Sequence, residues 1–154
     1  MTDDDLDALP RWGFATPGPL REELTALALA GTKTTTAGLQ AEFEADGDPI
    51  PVSGERSLLV DSDQRPVAVV ETVSVRICRL ADVDDEHARD EGEGYTDAAA
   101  FRVSHERYWS SYLDTLRTRL GDPSFTIGDD TPVVLERFRV LRRFGDEPIR
   151  AEGD

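Results

Sequence analysis

Along residues 66–80, apolar and polar positions alternate. Val67, Val69, Val73, Val75 and Ile77 fall on one face, with Glu71 among them; Ala68, Val70, Thr72, Ser74, Arg76 and Cys78 fall on the other. A period of two over that length predicts a long, half-buried strand. The turn 61–65 hairpins it to a shorter strand at 57–60. A second alternation, Val134, Glu136, Phe138 and Val140, predicts a closing strand over 132–144. Elsewhere the period is helical. Leu20, Leu24, Leu27 and Ala28 predict a helix over 20–30 that Gly31 ends. Phe101, His105, Tyr108, Tyr112 and Leu116 trace one stripe of a helix over 97–120, stopped by Gly121-Asp122-Pro123. A short acidic helix over 81–91, capped near Asp82, is broken by Gly92-Glu93-Gly94.

Trp12 and Phe14 read as the first apolar anchors. The acidic lead 1–10 reads as disordered, and the tail 145–154 as frayed. Nothing repeats, and strands and helices do not alternate as regular βαβ units. The expectation is one domain over 1–154 with an ordered core at about 11–145. Its class is α+β, with a mainly antiparallel, barrel-like sheet and flanking helices.

Composition narrows the class of function. The net charge is −15 and the pI about 4.4. That balance opposes long contact with a nucleic-acid backbone, which needs clustered cations. It leaves room for a nucleoside or a short single strand. No apolar run approaches the roughly 20 residues that span a bilayer. A single cysteine, Cys78, forms no internal disulfide. These features give a cytoplasmic expectation.

Of 17 basic residues, 16 are arginine and one is lysine, Lys33. An ammonium can surrender its proton when desolvated; a guanidinium cannot. The lone lysine sits in Gly31-Thr32-Lys33-Thr34-Thr35-Thr36, just past a predicted helix end. Glycine permits close backbone approach. A lysine beside a threonine suits either activation of a weak hydroxyl nucleophile or capture of a phosphate. The pattern is not a P-loop, because its first glycine is missing.

Glu71 and Glu136 each occupy an apolar strand face, where a carboxylate needs a partner. Ion pairing with Arg76, Arg137 or Arg139 is the ordinary explanation. Glu91, Glu93 and His87 lie close in sequence, but the spacing is poor for a metal. His87 reads as an exposed residue, and His105 as a half-buried one in an aromatic stripe.

Three segments, in order, resemble the ASCH domain, a PUA-like β-barrel family, in its longer bacterial branch. They are Leu27-Ala28-Leu29-Ala30-Gly31-Thr32-Lys33-Thr34-Thr35-Thr36, then Val69-Val70-Glu71-Thr72 leading to His87-Ala88-Arg89-Asp90-Glu91, and finally Phe101 to Trp109 with the strand 134–140. The resemblance implies a small barrel with a cleft for a modified nucleoside or RNA. A compact branch of the family hydrolyses N4-acetylcytidine; its functional lysine, threonine and glutamate fall here on Lys33, Thr36 and Glu91. On that reading Thr36 attacks the acyl carbonyl, Lys33 activates it, and Glu91 shuttles the proton. Gly31, Thr34, Glu71, Arg102 and Glu136 are expected to contact substrate. This chain has Gly38 where the compact branch carries an arginine. No cofactor and no metal are expected; the partner is a small nucleoside-like ligand or short RNA, and the chain is a monomer or homodimer. Two alternatives remain: a non-catalytic RNA-binding module using Arg102, Arg137, Arg139, Arg142 and Arg143, and a metal-dependent ribonuclease.

Overall fold

The computed structural model describes residues 3–144. The expected frayed tail, 145–154, lies outside them. The elements are α1 (Asp3–Asp7), β1 (Arg11–Trp12), α2 (Pro19–Leu29), β2 (Thr35–Leu39), α3 (Gln40–Asp46), β3 (Arg56–Val60), β4 (Pro66–Arg79), α4 (Asp85–Asp90), α5 (Ala98–Ser110), α6 (Leu113–Leu120) and β5 (Pro132–Arg143). The class is α+β, as the alternation predicts. One five-stranded sheet runs in the order β1-β3-β4-β5-β2, antiparallel except for the β1–β3 pair. The edge strands β1 and β2 are not paired with each other, so the sheet is not closed into the expected barrel.

Several expectations need correction. The acidic lead is not all disordered: α1 forms, and Leu6 packs on Leu58 and Val69. The stripe over 97–120 is two helices. Tyr112, at φ −130° and ψ 26°, breaks the run between α5 and α6 while keeping the aromatic spacing. The acidic helix starts later than expected. Leu80–Asp82 form a 3-10 turn, and Asp84, not Asp82, caps α4 by accepting from the His87 N–H.

The face assignment of β4 fails in its second half. Register shifts at Val69/Val70 and Thr72/Ser74 break the period of two. Ala68, Val69, Val70 and Thr72 are buried, whereas Val73 and Ile77 are 41% and 46% exposed.

The core has two main parts. Phe14, Leu24, Ala28, Leu59, Ala68, Val70 and Phe138 seat α2 on the sheet. Val133 and Leu135 carry the α4–α6 side with Phe101, Trp109 and Leu116. Because strand neighbours alternate, Val134 and Glu136 then face the space between these two parts. Helix α3 braces α6 through Tyr112 to Glu42 and the Arg119–Asp46 pair. Among the described residues no helix is long and apolar enough to cross a membrane.

Candidate functional site

Helix α2 ends at Leu29, Ala30 caps it, and Gly31 turns the chain at φ +82°. The N–H groups of Thr32 and Lys33 both return to the carbonyl of Leu27, which directs the next residues inward. Thr34 is tied to the end of α4, its N–H donating to the Asp90 carbonyl at 2.9 Å. The Thr35 hydroxyl donates to the His87 carbonyl at 3.1 Å. Residues 33–36 and 87–93 therefore form one wall.

Close packing between these segments requires Gly92. It stands at φ +72°, and a β-carbon there would lie 2.4 Å from the Thr32 carbonyl oxygen and 2.8 Å from Lys33 Cα.

Lys33 is only 2% exposed. Its Nζ donates to Glu93 Oε2 at 2.8 Å and to the Glu91 carbonyl at 3.3 Å. Glu91 Oε1 lies 3.6 Å away. The Phe14 ring covers the amine at 5.4 Å from its centroid. Arg21 fixes that ring's loop by donating to the carbonyls of Phe14 and Ala15.

Glu91 is 1% exposed and sits between two histidines. His87 Nε2 is 2.7 Å from Oε2, and His105 Nε2 is 3.3 Å from Oε1. Burial works against its charge, but hydrogen bonds from His105 and His87 and the charge of Lys33 outweigh it. The carboxyl is held well below the usual range. His105 Nδ1 meets the Phe101 carbonyl at 3.0 Å, and its ring stacks on Phe101. The Tyr95 hydroxyl donates to Ser104, and burial pushes it up to about 12.

Of these groups, Lys33, Glu91, Glu93, Tyr95, Ser104 and His105 line a cavity of about 510 Å³. Trp12, Phe14, Tyr108 and Trp109 form apolar walls, and both sheet edges reach it, through Trp12 and Thr36. Glu136 lines the floor and accepts from the Thr72 hydroxyl at 2.7 Å. Burial raises its carboxyl; the Thr72 bond opposes this, and nearby Glu55 adds to it.

Of the residues singled out in the sequence, Lys33, Thr36, Glu91 and Glu136 line this cavity. Among the described residues no hydrogen bond joins Thr36 to Lys33 or Glu91. Glu71, Arg102, Gly31 and Thr34 are not among its lining residues. Glu71 faces the other side of the sheet, bound by Arg139 at 2.6 Å and Arg56 at 3.5 Å, so ion pairing explains it. Arg102 is held by Asp129 and Glu106. Gly31 serves the turn, and Thr34 serves the contact with α4.

The arginine strip is committed to other contacts as well. Arg137 pairs with Asp90 at 2.6 Å, Arg142 covers the Phe144 ring, and Arg143 donates to the Leu29 carbonyl. His87 is not exposed but buried, at 6%. Its spacing of four from Glu91 was the available signal. Glu93, Tyr95 and His105 complete the site from the breaker segment and α5. Among the described residues no group of three or more His, Cys, Asp or Glu side chains is arranged to hold a metal ion.

The fold is α+β with an open five-stranded sheet, and a buried Lys–Glu pair lines its cavity. A family model described as the ASCH domain matches residues 11–142, and the chain belongs to that family. Two crystal structures share its PUA-like fold. One, of a protein from Enterococcus faecalis, has a TM-score of 0.75 at 19% identity and covers 91% of this chain and 80% of that one. The other is an ASCH domain from Lactobacillus crispatus, with a TM-score of 0.72 at 22% identity, covering 91% and 84%. At these identities the likeness carries the fold alone. No curated protein matches the chain.

Proposed function

We propose that the cavity takes a modified nucleoside and hydrolyses its N-acyl amide, with N4-acetylcytidine as the representative substrate. The observation that carries this reading is the burial of Lys33 and Glu91 where they meet the cavity. A buried ion pair adds little stability over an apolar pair of equal volume, so stability alone does not account for this one. The volume suits a nucleoside, and aromatic walls can stack on a base. The overall charge of −15 suits a small ligand better than a polyanion.

Thr36 supports the chemistry. Thr34 and Thr35 spend their hydroxyls on carbonyls of α4. Among the described residues the Thr36 hydroxyl has no such bond, and it faces the cavity. In the proposed reaction it attacks the acyl carbonyl, and the Lys33 ammonium stabilises the negative charge that develops on the carbonyl oxygen.

The test is Thr36→Val, which keeps the shape and removes the nucleophile. Calorimetric affinity for N4-acetylcytidine should stay within about threefold of wild type, because the apolar walls provide most of the contact. Cytidine release should fall to background. Loss of affinity together with turnover would assign Thr36 to binding. Retained turnover would exclude it as nucleophile.

A further inference from the structure

We propose that Glu136 carries the proton in this reaction, in place of Lys33 and Glu91; the assignment rests on the hydrolase reading above. Thr36 and Glu136 are direct register partners across β2 and β5, and both face the cavity. Side chains opposed in this way start about 5 Å apart at their β-carbons. An acyl group at Thr36 therefore lies beside the Glu136 carboxyl. One oxygen of that carboxyl is bound by Thr72, and among the described residues no ion pair holds the other.

The two residues that the family resemblance would choose are otherwise committed. Lys33 Nζ is surrounded by three oxygens, from Glu93, the Glu91 carbonyl and the Glu91 carboxyl, so no lone pair is directed at Thr36. Glu91 has a histidine on each oxygen. Its environment favours the anion, whereas that of Glu136 favours proton uptake. Two carboxyls pushed in opposite directions are the ordinary signature of divided acid–base duties. The charged and titratable groups that line the cavity with Glu136 are Glu55, Lys33, Glu91, Glu93, Tyr95, His105, Tyr108, Arg11 and Asp48, and a second pocket that Glu136 also lines adds Arg76, Asp84, Glu86, His87 and Arg137.

The steps balance. The Glu136 carboxylate takes the Thr36 proton as the Oγ–C bond forms at the acyl carbonyl. It passes that proton to the amide nitrogen as the C–N bond breaks and the amine leaves. Water then attacks the acyl ester of Thr36, and Glu136 accepts one of its protons as the new C–O bond forms. Glu136 returns this proton to Thr36 Oγ as the ester bond breaks. One amide and one water give one carboxylic acid and one amine.

Glu136→Gln keeps the volume and an oxygen for Thr72. Its kcat on N4-acetylcytidine should fall about 10²–10⁴-fold with KM near wild type. Wild-type kcat should rise with pH as the Glu136 carboxyl ionises, with a midpoint above the ordinary value of 4.5. That limb should vanish in Glu136→Gln and return in part in Glu136→Asp. Carboxyl 13C titration of Glu136 in the free wild-type protein reads the same midpoint without turnover. A midpoint at or below 4.5, or unchanged kcat in Glu136→Gln, overturns the assignment. A wild type that hydrolyses no acylated nucleoside counts against the hydrolase reading, and the titration still decides whether Glu136 can carry the proton.

Discussion

Lys33→Met should destabilise the fold by about 3–5 kcal/mol, the cost of stranding one member of a buried ion pair. Methionine keeps the length of the stem and its contact with Phe14 but removes the charge. Glu91, 1% exposed, then loses its only lysine, and the side chain of Glu93, 17% exposed, loses its closest partner. Two carboxylates are left facing each other in a site of low dielectric. Thermal unfolding should drop by roughly 10 °C for a chain of this length. Adding Glu91→Gln should recover part of the loss, because the double variant buries one less uncompensated charge. Urea unfolding of the three variants beside wild type measures the coupling. A loss below about 1 kcal/mol for Lys33→Met would mean that water reaches the pair and that its burial carries no functional message.

Gly92→Ala should cost about 3 kcal/mol or more, because it combines backbone strain with a collision against main chain. At φ +72° an L-residue is already strained, and the new β-carbon meets the Thr32 carbonyl at 2.4 Å. Neither segment can yield easily. One side is anchored by the Thr34–Asp90 backbone bond, the other by the α4 cap at Asp84. The two segments must separate, which draws Glu91 and Glu93 away from Lys33. Gly94→Ala is the control: its φ is +96°, but no atom lies within 4 Å of the new carbon. It should show only the conformational cost, about 1–2 kcal/mol. Equal losses at the two positions, measured by urea unfolding, would show that close approach at Gly92 contributes nothing.

The long strands and α2 were legible because their apolar periods are local and uninterrupted. The break at Tyr112 was not, since a helix can stop and restart without losing the spacing of its stripe. Bulges hid the faces of β4 for the same reason: residue types alternate correctly while the backbone slips by one. Helix α3 offered only Ala41, Phe43 and Ala45 as apolar positions, and their spacing of two is not a helical period. In the site, Lys33 stood out by being the only lysine, and Gly92 by breaking a helix. Glu91 was reached through the family resemblance. The role of its histidine partners depends on a packing that no local pattern encodes. His87 looks solvated in an acidic helix until the Thr35 hydroxyl caps its carbonyl and Phe101 closes over its ring. Glu71 and Glu136 looked equivalent as carboxylates on apolar strand faces. Arginines on neighbouring strands satisfy the first, whereas the second faces a cavity.

Cytidine release from N4-acetylcytidine by the wild-type protein, followed alongside a panel of other N-acylated nucleosides, tests whether this cavity hydrolyses an N-acyl amide. The expected result is release of free amine and carboxylic acid in equal amounts from at least one member, at a rate proportional to enzyme. Absence of turnover across the panel, with the nucleosides still bound, would contradict the claim and leave Lys33 as a contact in a binding cleft.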